Sequence, residues 1–566
     1  MRWSLVVVAL VALVACGGGG PQQIGAQPSW RTGSAAPVVA TTTAPAVAIT
    51  FAPASDPARR YNEPLAAPPK TPLGVAMMSA LRDAAVKAHL PTPIADPRLY
   101  RACSELAEIA PPEGMVRYAF VEFALQRNGI IEPAPHVFVV WGSDAPDDVI
   151  GQLKSQLDEV LGDGATVRFG IGTAKRTDGA TATVFAVQGS GVTTSPIPRA
   201  LAAGGTAPLD AVVDSRYKDP EVFITRENGA TETLALEPGH SGAFKTTIAC
   251  GKHVGRQQVE ISASDTSGST VLANFPVWCA AEPPPSLTVA PDADDADVES
   301  AGDAEKRLLA LANRDRVAAG LPALLWDDRV AAVARGYSEE MHRTKVVAHV
   351  SPTSGSPADR VRAGNIKTAV VLENVARAYG VGEAHAELMN SPGHRANLMS
   401  PVATHVGIGV VLGDEISGRR EIYLTEVFIR IPPKIDPAAV AELVRSRIDL
   451  KRHIAIDPVL VATAQELATG LAAGRPRDAL WPTAKTELDK LGVRYARVGS
   501  VITAVADTDS IDGASLLGDY KPDDIGVGVA QGTHPQIGEN AIWIVVLMAE
   551  RLDSPAPRSP PQPPPH

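Results

Sequence analysis

The sequence is poor in cysteine, in aromatic residues and in clustered positive charge. Only four of its 566 residues are cysteines, and 5% are aromatic. Its N-terminal apolar run, Leu5 to Ala15, is too short to span a bilayer. Lys and Arg number 52 against 63 Asp and Glu, and no basic cluster that could follow a phosphate backbone is visible. These absences argue against a membrane-spanning N-terminal helix and against a nucleic-acid partner.

Residues 1–16 have the pattern of a processing signal. Arg2 supplies positive charge, the apolar run follows, and Leu13-Val14-Ala15-Cys16 precedes four glycines. This pattern resembles a bacterial lipoprotein signal, which implies cleavage before Cys16, attachment of diacylglycerol to its thiol and acylation of the new amino terminus, for example with palmitate. Two or more acyl chains give stable anchoring. We therefore expect a lipid-anchored protein of the cell envelope, at the outer membrane or cell surface; a secreted leader with a chance cysteine is the alternative.

The remaining cysteines are few enough to consider one by one. Cys250 and Cys279 flank a segment rich in strands, and in an exported protein a disulfide between them is the natural interpretation. Cys103 is then left over, and we expect a small buried side chain there rather than a nucleophile.

Composition and periodicity divide the chain into several domains, so we predict a multidomain α+β protein. Segments of low hydrophobicity rich in Pro, Gly or acidic residues cannot bury enough surface to fold and are predicted as linkers. Short alternating runs with Gly or Asp turns predict a β-sandwich. The predicted segments are a lipoprotein signal (1–16), a disordered linker (17–70), an α+β domain (71–196), an Ig-like β-sandwich (201–283), an acidic, Pro-rich linker (284–300), a middle α-β-α domain (301–432), a further α+β domain (434–552) and a Pro-rich tail (553–566).

Six linked motifs in the middle domain indicate a family. They begin with NRDRVAAGLPALLWDDRVAAVARGYSEEM from Asn313 and AHVSPTSGSPADRVRAG from Ala348, continue with LENVA from Leu372 and SPGHRANLM from Ser391, and end with VGIGVVLG and REIYLTEVF. In this order they resemble the CAP superfamily (cysteine-rich secretory, antigen 5, pathogenesis-related 1; also called SCP or PR1-like) in its cysteine-poor bacterial form. The resemblance implies an α-β-α sandwich with a central cleft.

The resemblance also implies site residues. Members of the family place two histidines and two acids in the cleft, and by order and neighbours His349, Glu373 and His394 match three of these four. The second acid is missing, because Leu388 takes the place of a helix Trp and Ser391 takes the place of the acid. We therefore expect a triad instead of a tetrad.

Two imidazoles and one carboxylate with an open fourth position are a plausible site for zinc or another divalent cation. The same groups could instead form a general base and its orienting partner. The middle domain has no SxxK, GxSxG or HExxH motif and no cysteine beside the histidines, so hydrolysis would need a metal-bound water. Glu426 could add a carboxylate to the cleft, and Arg395 could simply pair with an acid.

Several single residues have structural alternatives. Glu373 could cap a helix beginning near Asn374. His394 is predicted on a turn, so its replacement by alanine should leave folding nearly intact. His342 and His385 fall within predicted helices and are interpreted as structural or solvent-facing.

Three stretches of the chain are similar to one another. ADPRLYRACSELAE, WDDRVAAVARGYSEE and IDPVLVATAQELAT each carry an acidic residue before apolar residues at helical spacing. Each is followed by a strand start with paired glycines (RFGIGTAKR, HVGIGVVLG, DIGVGVAQG) and by a second apolar strand. We predict three CAP-like units, of which the outer two are degenerate and lack the site; chance similarity between α+β domains is the competing explanation.

The sequence leaves three function classes open. The first and favoured one is a membrane-anchored binding scaffold, without enzymatic activity, whose cleft holds a metal, a lipid, a peptide or a protein. The second is a metal-assisted hydrolase, such as a peptidase, that uses His349, Glu373 and His394. The third is a structural envelope or adhesion protein with a vestigial site. The missing nucleophile and missing acid favour binding over catalysis.

Overall fold

The computed structural model describes residues 32–33, 48–111, 116–133, 135–159, 161, 166–176, 179–289, 298, 300–416, 419–448, 454–518 and 520–552. The chain divides into two compact units. The larger contains the described residues of Pro21–Gly364 and Val371–Phe428, and the smaller those of Asn365–Val370 and Ile429–His566. Within the described part of the chain, no helix is long and apolar enough to cross a membrane.

The first domain of the larger unit is a sheet with helices packed on it. Its elements are β1 (Thr32–Gly33), β2 (Ile49–Phe51), β3 (Arg60–Tyr61), α1 (Pro72–Lys87), β4 (Ile94–Ala95), α2 (Pro97–Ile109), α3 (Tyr118–Arg127), β5 (His136–Trp141), α4 (Pro146–Glu159), β6 (Thr166–Lys175) and β7 (Thr181–Ser190). The sheet order is β1-β5-β7-β6-β4. Strands β6 and β7 form an antiparallel hairpin, and β4 runs parallel to β6. The α+β prediction for this region is confirmed.

The disordered linker predicted over residues 17–70 is wrong from residue 48 onward. Phe51 on β2 is buried and packs edge-on against Phe120 and Phe123, with ring centroids 5.8 and 5.7 Å apart. Tyr61 on β3 is also buried, and its hydroxyl donates to the carbonyl of Pro276 at 2.7 Å. Two aromatic side chains are therefore enough to fix a segment whose average composition predicts disorder.

Other predicted segments fall partly or wholly outside the described residues. The lipoprotein signal with Cys16 and the Pro-rich tail 553–566 lie outside them entirely. Of the acidic linker 284–300, residues Leu287–Val289 form a strand that pairs antiparallel with β2, so this part of the linker prediction is wrong.

The next domain is all β, and we call residues 192–279 the β domain. Its strands and the strand that follows it are β8 (Val192–Thr194), β9 (Ile197–Pro198), β10 (Ala200–Leu201), β11 (Thr206–Val213), β12 (Lys218–Thr225), β13 (Thr231–Thr233), β14 (Glu237–Pro238), β15 (Ala243–Ala249), β16 (Gly255–Asp265), β17 (Gly268–Cys279) and β18 (Leu287–Val289). Nine of them form two sheets, β10-β17-β16-β12-β13 and β14-β15-β11-β8, whereas β9 pairs with β3 and β18 pairs with β2. Leu209 and Phe244 of one sheet share a buried core with Ile261 and Phe275 of the other. The predicted disulfide between Cys250 and Cys279 is present, with Cα atoms 5.5 Å apart.

Residues 301–429, apart from Asn365–Val370, form what we call the middle domain. Its elements are α5 (Ala301–Ala318), β19 (Leu325–Trp326), α6 (Asp328–Thr344), α7 (Pro357–Ala363), β20 (Val371–Ala378), α8 (Val381–Asn390), α9 (Pro392–Leu398), β21 (His405–Ile416) and β22 (Arg419–Ile429). The sheet order is β19-β21-β22-β20. Leu308, Leu311 and Ala312 of α5 are buried in its core, as their helical spacing predicts.

The smaller unit is again a sheet with helices. Its elements are α10 (Pro437–Ile448), β23 (Ala455–Ile456), α11 (Pro458–Ala472), α12 (Arg477–Asp489), β24 (Tyr495–Val505), α13 (Gly513–Leu517), β25 (Asp524–His534) and β26 (Gly538–Arg551), with sheet order β23-β25-β26-β24. Asn365–Val370 also belongs to it: the Thr368 hydroxyl donates to the carbonyl of Arg430 at 2.8 Å, and Thr368 bridges Gly538.

Three sheets of the chain share one arrangement. In each, a two-residue strand runs parallel to the first strand of a long hairpin and leads directly into a helix. An aspartate caps that helix in all three cases by accepting backbone N–H groups, namely Asp96, Asp327 and Asp457. The self-similar stretches of the sequence therefore occupy equivalent places in their sheets.

The glycine pairs of these three stretches allow the helix to lie directly on the hairpin. A Cβ atom placed on Gly172, Gly409 or Gly528 would lie 2.2, 2.1 or 2.2 Å from the backbone of α2, α6 or α11. Because no side chain fits at that distance, glycine is required where helix and strand approach so closely.

Candidate functional site

The first part of the site is a buried pair between His349 and Glu373. His349 lies in the loop after α6, and Glu373 lies on β20. His349 Nδ1 is 2.9 Å from Glu373 Oε1, and the two side chains are 0% and 1% exposed. Glu373 is in a strand, so the alternative in which it caps a helix near Asn374 is wrong. The structure thus brings two of the three predicted site residues into direct contact.

Arg360 on α7 completes this cluster, and the sequence analysis missed it. Its Nη2 donates to Glu373 Oε2 at 2.6 Å and to the carbonyl of His349 at 3.1 Å. Its guanidinium carbon lies 3.4 Å from the centroid of the Tyr337 ring, which is a close cation–π contact. Both oxygens of Glu373 are therefore engaged within the protein, one by an imidazole and the other by a guanidinium.

Two asparagines connect this cluster to Glu426. Asn374 Nδ2 donates to Glu426 Oε2 at 3.1 Å and to the carbonyl of His394 at 3.2 Å. Asn397 Nδ2 donates to the carbonyl of Glu373 and to Asn374 Oδ1, each at 3.0 Å. Burial raises the pKa of Glu426 to about 7, although the Asn374 hydrogen bond acts in the opposite direction. Glu426 is thus part of the buried network around Asn374.

His394 lies on helix α9 and not on a turn, which corrects the prediction made from Ser-Pro-Gly-His. Pro392 is the first residue of this helix, a position where proline is favoured. The His394 side chain is 0% exposed, and its Nδ1 is 2.7 Å from Ser391 Oγ. The carbonyl of His394 joins the asparagine network, and its ring contacts Ser391.

A carboxylate from the β domain reaches this part of the site. The Ser391 hydroxyl donates to Glu260 Oε2, and the Gly393 amide donates to Glu260 Oε1 at 3.1 Å. Glu260 lies on β16, is 0% exposed, and has a pKa that burial raises to about 7 against the effect of these two hydrogen bonds. Ser391 takes the place that the resemblance to the CAP superfamily assigns to the second acid, and Glu260 of the β domain lies beside it.

The β domain also covers His349. The amides of His349 and Val350 both donate to the carbonyl of Ser267, at 3.1 and 2.9 Å. A Cβ on Gly268 would lie 2.9 Å from the Cβ of His349, so the turn between β16 and β17 rests directly on this residue. The sequence contains no signal for these contacts, because they join residues of different domains.

The residues present do not assemble into a three-ligand metal site. Among the residues that the structure describes, no group of three or more His, Cys, Asp or Glu side chains is placed to hold a metal ion. Glu373 Oε1 and Oε2 already contact His349 and Arg360. Binding of zinc or another divalent cation by His349, Glu373 and His394 therefore stays a prediction.

The remaining candidates have structural contacts. His385 is buried on α8, and its Nε2 is 2.8 Å from Asp315 Oδ2. His342 packs edge-on against the Tyr423 ring. Arg395 Nε donates to the carbonyl of Gly229 in the β domain at 3.2 Å, and its guanidinium also interacts electrostatically with Asp315.

The family profile that matches this chain lies in the middle domain. The profile of the CAP family, described as the cysteine-rich secretory protein family, matches residues 309–428. Two proteins of Bacillus subtilis (strain 168) are similar to this chain: the uncharacterized membrane protein YlbC, 42% identical over 107 residues, and the uncharacterized protein YkwD, 36% identical over 108 residues. Each match covers 19% of this chain, and the chain spans 31% and 42% of the two relatives.

Solved structures with some similarity include an extracellular protein containing an SCP domain from Bacillus anthracis and an outer surface protein from Borrelia burgdorferi. The first has a TM-score of 0.21 and 20% identity, over 35% of this chain and 67% of the other. The second has a TM-score of 0.21 and 17% identity, over 23% and 96%. TM-scores this low support no conclusion. The family profile, together with the six motifs and the fold of the middle domain, identifies residues 309–428 as a domain of the CAP superfamily in its bacterial form.

Proposed function

We propose that this chain is an extracytoplasmic CAP protein that acts as a binding scaffold and not as an enzyme. The observation that carries the proposal is the engagement of Glu373, whose two oxygens are held by His349 and Arg360 in a fully buried cluster. A general base must be able to reach a substrate proton. Held by these two partners and shielded from solvent, the Glu373 carboxylate instead fixes the shape of a recognition surface. The ligand class that we favour is a lipid, a peptide or a divalent cation.

A metal-assisted or serine-dependent hydrolase is the second candidate. One observation favours it, namely the 2.7 Å distance between Ser391 Oγ and His394 Nδ1, which is within reach for a nucleophile and its base. Against it, the Ser391 hydroxyl already donates to Glu260, and both side chains are buried. The acid contacts the serine and not the histidine, so the order of a catalytic triad is not reproduced.

We further propose that the protein is exported and held at the membrane through a lipidated Cys16. The Cys250–Cys279 disulfide supports this, because disulfides are typical of oxidising compartments outside the cytoplasm. A structural envelope or adhesion role is compatible with the same location. We favour binding because the buried atom His349 Nε2 has no hydrogen-bond partner among the described residues.

The flanking α+β domains are best explained as degenerate CAP units, and the β domain as an Ig-like sandwich. The shared strand order, the three capping aspartates and the glycine pairs support three copies of one unit. Neither flanking unit has counterparts of His349, Glu373 and His394 in its sequence, so ligand binding is proposed for the middle domain alone.

Zinc titration by calorimetry on the full chain tests this proposal, combined with native mass spectrometry of protein purified without chelator. We expect a co-purified or titrated ligand at one per chain that is lost in His349→Ala and retained in His253→Ala, a matched change at an exposed histidine. Turnover of a casein or ester substrate that depends on His349 would instead establish the hydrolase. If neither calorimetry nor native mass spectrometry detects a stoichiometric ligand, the proposal of a binding scaffold is contradicted.

A further inference from the structure

The carboxylate of Glu260 makes a fully buried contact between the β domain and the middle domain. Its two oxygens accept separate hydrogen bonds, from the Ser391 hydroxyl and from the Gly393 amide. Both the carboxylate and Ser391 are 0% exposed. Hydrogen bonds to a carboxylate are about twice as strong as neutral ones. Burying a carboxylate is costly, however, so the net stabilisation is much smaller than the two bonds suggest.

The turn at the end of β16 makes the second contact. The carbonyl of Ser267 accepts hydrogen bonds from two adjacent backbone amides of the loop that carries His349. Gly268 lies so close to the His349 side chain that no space remains between the turn and this residue. Glu260 and this turn lie on one hairpin of the β domain. The same hairpin therefore reaches both the Ser391–His394 pair and the His349–Glu373 pair.

The surrounding contacts between the two domains are polar. Asn390, at the end of α8, accepts a hydrogen bond from Arg256 Nη2 at its Oδ1, 2.5 Å away, and one from Asn274 Nδ2 at its carbonyl, 3.4 Å away. Arg395 reaches the carbonyl of Gly229. Polar contacts of this kind are typical of domain interfaces that open and close, whereas permanent interfaces are more apolar.

We infer that the β domain is a removable cover over the CAP site and that Glu260 is the residue that holds the cover closed. The inference rests on the proposed binding function and adds its regulation. In the closed chain, His349 and His394 are inaccessible, and a ligand can enter only after the Glu260 carboxylate has left Ser391 and Gly393. An external ligand therefore competes with a segment of the same chain, and its apparent affinity equals its intrinsic affinity multiplied by the open fraction of the protein.

Chemical modification of the histidines tests the cover without any ligand. The full chain is treated with diethyl pyrocarbonate, and the modification rates of His349 and His394 are followed by mass spectrometry, with the exposed His253 as internal reference. Glu260→Ala removes both acceptor atoms, and we expect it to raise the rates of His349 and His394 by about tenfold through a larger open fraction. Glu237→Ala removes an exposed carboxylate of the same domain and should leave both rates unchanged.

Glu260→Gln keeps the shape of the side chain and one acceptor atom, so it replaces the alanine variant if that variant does not fold. We expect its modification rates at His349 and His394 to lie between those of the natural chain and those of Glu260→Ala. Urea unfolding measured in parallel separates opening from global unfolding. The inference is overturned if the modification rates of His349 and His394 in both Glu260 variants equal those in Glu237→Ala. It is also overturned if these rates rise only in proportion to the loss in the free energy of unfolding. Because no ligand is used, failure of the scaffold proposal in calorimetry does not affect this result, and the reverse also holds.

Discussion

His349 donates to Glu373 through Nδ1, at 2.9 Å, in a pair from which solvent is excluded. A carboxylate can only accept hydrogen bonds, so the hydrogen of the neutral imidazole is assigned to Nδ1. Among the residues that the structure describes, His349 Nε2 has no hydrogen-bond partner although it is buried. The pair with Glu373 thus fixes the ring and leaves Nε2 as the acceptor atom that a ligand would meet.

Removal of Arg360 should strongly destabilise the larger unit. Arg360→Ala removes the ion pair to Glu373 and the contact with the Tyr337 ring, and leaves a buried carboxylate without its cation. We expect a loss of about 3 to 5 kcal/mol in the free energy of unfolding, measured by urea denaturation. Arg362→Ala is the matched control on the same helix, since its side chain is 76% exposed, and a change of less than about 0.5 kcal/mol is expected. Equal effects of the two changes would show that the buried cluster contributes nothing.

His394→Ala should lower stability, contrary to the expectation from sequence. The imidazole is fully buried on α9 and binds Ser391, so its removal leaves a cavity and a hydroxyl with one partner fewer. We expect a loss of about 1 to 3 kcal/mol in urea unfolding. His253→Ala, at an exposed position, should have no measurable effect. An unchanged unfolding midpoint for His394→Ala would restore the interpretation of a surface turn.

Glu426 should make stability fall as pH rises. Its folded pKa of about 7 lies above the ordinary 4.5, so the folded state binds more protons between these values and its stability decreases across this window. Glu426→Gln has no such proton to lose. Relative to the natural chain, the variant should therefore gain up to about 3 kcal/mol between pH 4.5 and pH 8. Glu415→Gln, at a side chain that is 61% exposed, should show no such trend. A difference between Glu426→Gln and the natural chain that does not vary with pH would contradict the raised pKa.

The disulfide should stabilise the β domain mainly through its unfolded state. Cys250 and Cys279 are 29 positions apart, which corresponds to about 3 to 4 kcal/mol in the chain-entropy description. Replacing both by serine should lower the free energy of unfolding by this amount in a denaturant titration. Dithiothreitol should have a similar effect on the natural chain and none on the double variant. Sensitivity of the double variant to dithiothreitol would indicate a different source of the effect.

Local rules account for the parts of the fold that the sequence predicted. Asp327 caps the helix that follows it through its immediate neighbours, so its role could be recognised from spacing. The paired glycines were recognised as a repeated pattern, whereas their close approach to a helix is seen only in the fold. His349 and Glu373 were found through family motifs. Ser-Pro-Gly-His was misread because proline and glycine favour turns, whereas proline is equally suited to the first position of a helix.

Contacts between distant segments could not be predicted in this way. Glu260 and Ser391 are 131 positions apart and lie on different domains, and no periodicity relates them. Arg360 reads as one of several basic residues on a short amphipathic helix, and only the fold reveals that it faces Glu373 while Arg362 faces water. The ordered structure around Phe51 and Tyr61 was not predicted, because the average composition of a segment does not reveal single buried aromatic residues.

The short stretch Asn365–Val370 limits how this protein can be divided for experiments. It belongs to the smaller unit, yet the chain on both sides of it, up to Gly364 and from Val371, belongs to the larger one. No single cut in the polypeptide can therefore release the two units as separate pieces. A fragment that ends near residue 432 would carry Thr368 but lack Gly538, its bridge partner. In limited proteolysis and truncation experiments, a single cut will therefore affect both units, and the intact protein is the proper material for studying them.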